Sequence, residues 1–161
     1  MLKDKFTLSI NQMLKTSQIY LENQADFFQN VSDKIPETHR KDIFKKIARE
    51  LNQVKDRLVS FQRRRFAQVK SDQMIHVYAG VLRLLQSLQH QDIFQKSYLG
   101  RANASRVVSL SETLHISIQT SILGLLFFQQ AAISCPKNTK RVLSEFTDTI
   151  QNHLTTLFNI K

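Results

Sequence analysis

The side chains with the greatest chemical reach in this 161-residue chain are five histidines, one cysteine and five glutamates. Glu112 and His115 stand at Glu-x-x-His spacing, which on a helix offers a carboxylate and an imidazole to one metal ion. A di-metal helical bundle needs a second such pair and two further inward glutamates. No second pair occurs, and Glu22 falls opposite the apolar stripe of its own segment. The pair therefore reads as a helix-start glutamate and a histidine at the edge of the core, and no metal or cofactor is expected. Cys135 precedes Pro136 without an assignable His/Asn partner, so it reads as structural. His39 and His153 have no partner in the sequence pattern, and no G-x-S-x-G elbow occurs.

His76, Arg83 and His90 are spaced by seven and would share the polar face of one helix. Arg83 and His90, with six residues between them, resemble the R-x4-6-H motif of the HEPN-family helical ribonucleases. The resemblance covers these two residues and an all-α architecture, and it departs from the family at Leu84, where a polar residue is usual. It implies an arginine and a histidine acting on an RNA phosphodiester across a dimer. The His-x-x-Lys-Gly pattern of histidine phosphotransfer bundles is missing at all five histidines. With no other enzyme signature, the expected function is non-catalytic, and a HEPN-like ribonuclease is a lesser alternative.

Charge is the stronger signal. The chain carries 23 Lys+Arg against 13 Asp+Glu, a net +10. Of this, +7 lies between Glu37 and Lys70, where eleven Lys/Arg face four Asp/Glu. Lys41, Lys45 and Arg49 follow one another at i,i+4, stacking like charges at roughly 0.2–0.5 kcal/mol per pair. Asp42 with Lys46 is the one well-spaced relief there, and Arg63-Arg64-Arg65 then concentrates three cations between Phe61 and Phe66. Guanidinium groups so placed suit carboxylate or phosphate capture. The expected contact surface is thus Lys41, Lys45, Lys46, Arg49, Arg63, Arg64 and Arg65. An acidic protein surface is the expected partner, reached by electrostatic steering. Nucleic acid, which would make the chain an RNA- or DNA-binding accessory protein, and anionic lipid are the other anions this surface would suit. No zinc finger, RNP-type strand motif or GxxG loop accompanies the charge, and Trp is absent.

The elements that must position these residues are helices. Three Gly and two Pro leave too little turn chemistry for a sandwich or barrel, and apolar periodicity near 100° per residue runs almost end to end. A first helix is predicted over Asp4 to Asp33, with Phe6, Ile10, Met13, Leu14, Tyr20, Leu21, Phe27, Phe28 and Val31 in its stripe and Ser17 and Gln24 as polar members. Ile35-Pro36 ends it. A second helix carries Ile43, Phe44, Ile47, Leu51, Val54, Leu58 and Phe61 inward and loses register at Gln62 and Arg65, so that a break is expected between Gln62 and Lys70. Ser71-Asp72 would cap a third helix through Leu88 or a little beyond, with Met74, Ile75, Val77, Tyr78, Val81, Leu82, Leu84, Leu85 and Leu88 inward.

After a loop over Gly100 to Ser105, Ser109 and Glu112 stand at capping-box spacing before a fourth helix to Ser134. That helix has a main stripe of Val107, Leu114, Ile118, Ile122, Leu125 and Leu126 and a second of Ile116, Leu123 and Phe127. It is either central or part of a homodimer contact through Ile116, Leu123 and Phe127. A fifth helix over Asn138 to Asn159 is the cleanest amphipath.

The expectation is an all-α, single-domain (residues 1–161) antiparallel up-and-down bundle of four to five long helices. It would act as a binding or adaptor protein through its basic second helix. No h-region and no uninterrupted apolar span are visible, which suits a cytoplasmic protein; export by a route that leaves no N-terminal signal is equally compatible. The Gln-, Asn-, Lys- and Ile-rich composition resembles that of an AT-rich bacterial genome.

Overall fold

The computed structural model describes residues 5–68, 73–90 and 109–160, with 68 and 87–90 described by their backbone alone. Among these residues the chain is mostly helical. The elements are β1 (Lys5–Ser9), α1 (Ile10–Lys34), α2 (Thr38–Gln68), β2 (Met74–Tyr78), α3 (Ala79–His90), α4 (Leu110–Ile133) and α5 (Lys137–Phe158). The expected loop at Gly100 to Ser105, the Ser71-Asp72 cap and Val107 lie outside the described residues.

Two antiparallel hairpins, α1/α2 and α4/α5, build the bundle. Ile35 takes the extended geometry that a following proline demands, and α1 stops there. Phe27 and Phe28 from α1, Phe44 from α2, Phe127 and Phe128 from α4 and Phe146 from α5 are fully buried. Phe28 stacks on Phe44 at 5.8 Å between ring centroids. Phe128 meets Tyr20 at 6.0 Å and Phe146 at 5.8 Å edge-on, so aromatic contacts tie α1 to α2 and α4 to both α1 and α5.

Three boundaries differ from the expectation. The first is at the N-terminus, where Lys5–Ser9 forms a strand paired antiparallel with Met74–Tyr78 in the register Lys5↔Tyr78 to Ser9↔Met74. The alternation Ile75 and Val77 inward, His76 and Tyr78 outward is a strand pattern. Over five residues it also satisfies a helical stripe, so periodicity alone misassigns it. Phe6 accordingly leaves the predicted stripe and is 47% exposed. Ser9 ends the strand and caps α1 in a reciprocal box, accepting from the Gln12 N–H at 3.0 Å while its own N–H donates to Gln12 Oε1 at 3.0 Å. The outer edge of β2 is closed by α4, since the His76 N–H donates to Ser134 Oγ and the Tyr78 N–H to Gln130 Oε1, both at 3.2 Å.

The second difference is that α2 runs through Gln62 and Arg65 to Gln68 without a break. The polar residues at those apolar angles are matched by polar residues on α1: Gln62 accepts from Gln18, and Arg65 donates to Asn11 Oδ1 at 2.8 Å.

The third concerns α4, whose buried face falls between the two stripes read from its apolar residues and shares with them only Phe127. Its buried face is Thr113, Ser117, Thr120, Ser121, Gly124, Phe127, Phe128 and Ala131, whereas Ile122 and Leu126 are 39% and 41% exposed. The hydroxyls hide by bonding back along the helix, Ser117 to the Thr113 carbonyl at 2.6 Å and Thr120 to that of Ile116 at 2.9 Å. From α1, the Tyr20 hydroxyl donates to the Thr120 carbonyl and Gln24 Nε2 to Thr120 Oγ1, each at 2.8 Å. Gly124 lets the Tyr20 ring lie directly on the helix, where any Cβ would overlap the phenol. Phe127 is fully buried within the chain and belongs to its core, whereas Ile116 and Leu123 are partly buried. By length and composition α4 could cross a membrane; here it is packed against α1, α3 and α5.

Candidate anion-binding groove

α1 and α2 pack along most of their length, as do α4 and α5, but α2 and α5 approach each other closely at few positions. Their antiparallel seam therefore stays open. One part of it is a groove of about 1220 Å³ between the C-terminal half of α2 and the first turns of α5. Asp56, Arg57, Ser60, Phe61, Arg64 and Arg65 line one wall, and Pro136, Asn138, Thr139, Arg141, Val142 and Glu145 the other. Four guanidinium groups thus face two carboxylates. Arg141 Nε and Glu145 Oε1 lie 4.0 Å apart on the surface, a contact that water screens. At the same end α5 begins on Pro136, with no side chain capping its first turn.

The seam is pinned further along by a buried polar contact. His153, only 3% exposed on the inner face of α5, places Nε2 2.6 Å from Glu50 Oε2 of α2. Lys46 Nζ lies 3.9 Å from the other oxygen of Glu50. Burial pulls the imidazole below its ordinary pKa of 6.5 and outweighs the upward pull of Glu50. The neutral ring donates through Nε2–H to the carboxylate. His153 therefore has the partner that its sequence context did not reveal.

The seven expected contact residues do not form one patch. At about 100° per residue, Lys41, Lys45, Arg49 and Arg63 share one edge of α2, while Lys46 and Arg64 share another with Arg57, roughly 100° away. Lys41 and Lys45 are half-buried, and Arg49 and Arg63 are exposed on the flank away from the groove. Arg64 and Arg65 do enter the groove, joined by Arg57 and Arg141, which the reading of local charge density passed over. The i,i+7 spacing of Arg57 and Arg64 was available in the sequence as a signal. Arg141 belongs to another helix and becomes visible only through the fold.

The other chemical candidates are dispersed. His76 lies in β2 and not on the helix of Arg83, which is exposed on α3; the His90 side chain is outside the described ones. Glu112 and His115 are exposed on α4, and Glu112 contributes its N–H to the Ser109 cap at 3.4 Å. Among the described residues no three His, Cys, Asp or Glu side chains converge. Burial pushes the Cys135 thiol up to about 11 against the pull of Arg65, so at neutral pH it is protonated and a poor nucleophile. No protein-family model, no curated protein and no solved structure matches this chain.

Proposed function

We propose that the protein is a non-catalytic binding or adaptor module that docks an acidic protein partner on its basic second helix, with the α2/α5 groove as the point of contact. One observation carries the reading: guanidinium groups from two different helices meet in one open groove in which they outnumber carboxylates four to two. Guanidinium is weakly hydrated and offers a planar fork to a carboxylate, so little is lost when it exchanges water for that partner. The net charge of +10 adds a field that steers an acidic surface toward it.

The test is a fluorescence anisotropy titration with a labelled polyglutamate of about 20 residues and a single-stranded RNA of similar length, at low and physiological salt. Saturable peptide binding that weakens with salt is expected, with RNA the weaker ligand. RNA binding with a steep salt slope and no peptide binding would make the chain a nucleic-acid accessory protein using the same arginines. Absence of binding to either at low salt overturns the electrostatic reading altogether.

A further inference from the structure

The seam that holds the arginine groove continues along the molecule, and its floor is apolar at both ends. Phe61 and Val142 lie under the arginine groove, while Ile43 and Ile160 lie under a second cleft at the opposite end of the antiparallel pair. All four are partly buried against the core. Between them is a polar cleft lined by Glu50, Gln53 and Thr149 among others. Ile43 and Phe61 are eighteen residues apart on one helix, a separation of roughly 27 Å.

Resting on the acidic-partner reading, we propose that the occupant of this seam is an acidic amphipathic helix of the partner protein. Its apolar side chains would cover Phe61 and Val142 at one end and Ile43 and Ile160 at the other, and its carboxylates would take Arg57, Arg64 and Arg141. Beyond the uncapped first turn of α5, both walls are helices whose backbone groups are bonded within themselves, so among the described residues an extended peptide finds no strand edge to pair with here. A helix brings its own backbone bonds and needs only side-chain contacts, the requirement that an inter-helix groove meets. Charge complementarity selects acid: Arg57, Arg64, Arg65 and Arg141 outnumber Asp56 and Glu145. A phosphodiester chain fits less well, because it carries charge at every step and in the middle cleft would meet Glu50 as well as Arg57. Two anchors roughly 27 Å apart require about five turns of the partner helix.

The experiment uses the full chain and three labelled peptides of about 22 residues. One carries leucines on one helical face and glutamates on the other, the second has the same composition scrambled, and the third replaces every leucine by serine. Binding of the amphipathic peptide ~10-fold tighter than either control is expected. Val142→Ser should remove most of that preference while leaving the affinity for the leucine-free peptide unchanged. The leucine-free peptide reads the same contact from the ligand side, without touching the protein's packing. Equal affinity for all three peptides overturns the helical occupant and leaves the acidic partner standing. Failure of all three, or displacement only by RNA, overturns both.

Discussion

His153 is the residue at which packing and charge oppose each other most directly. It sits on an inner face with Thr139, Leu143, Phe146, Ile150, Leu154 and Leu157, so its ring is desolvated as their side chains are. Glu50 favours the imidazolium, while burial and Lys46 favour the neutral ring, and burial is the largest of the three. The unfolded chain therefore binds a proton near pH 6.5, and the folded chain binds it only at lower pH. Between these two values the unfolded state holds more protons, so stability is complete above 6.5 and is lost as the pH falls through that window. The thermal midpoint is expected to drop on acidification through this range, and His153→Gln should flatten the slope whatever it does to the midpoint at neutral pH. A midpoint that rises on acidification would mean that the pair is an imidazolium–carboxylate ion pair, with the opposite sign.

At the scale of an element, α4 separates what a sequence can convey from what only a neighbour decides. The helices α1 and α5 follow their apolar stripes, and the polar members Ser17 and Gln24 of α1 are buried as their positions require. In α4 the same counting misses the buried face, which lies between the two apolar stripes. Leucines and isoleucines outnumber the small residues there, yet Tyr20 and Gln24 of α1 need hydroxyls, a carbonyl and a missing Cβ to lie against. Ser and Thr satisfy themselves on the preceding turn and so enter a core at little cost, an exchange that no hydrophobicity pattern records. The two short strands were hidden for a related reason, because five alternating residues serve a strand and a helix equally. The packing gives a contrast between adjacent residues. Phe127→Ala should cost about 3–5 kcal/mol in a urea titration, and Leu126→Ala, at a position 41% exposed, about 0.5 kcal/mol or less. Similar costs at the two positions would show that α4 is rotated from the placement described.

Over the whole molecule, the question is whether an acidic ligand responds to the net charge or to the groove. The basic segment was plain in the sequence, and so were Arg64 and Arg65. The meeting of Arg57 and Arg64 with Arg141 was not, because it depends on how α2 and α5 lie side by side. Two triple variants separate these effects, since each removes the same charge from the +10 of the chain. Arg57→Ala with Arg64→Ala and Arg141→Ala empties the groove but spares Arg65, which is bonded to Asn11. Lys41→Ala with Lys45→Ala and Arg49→Ala strips the other edge of α2. Long-range steering depends on total charge and is screened beyond about 10 Å in 0.1 M salt, so at low salt it would weaken both variants alike. Short-range guanidinium–carboxylate contacts are lost only where the arginines are lost. The groove variant is therefore expected to lose ~10-fold or more of its affinity for polyglutamate at physiological salt, and the edge variant no more than about two-fold. Equal losses would mean that the partner sees a charged cylinder, and the groove would then have no part in recognition.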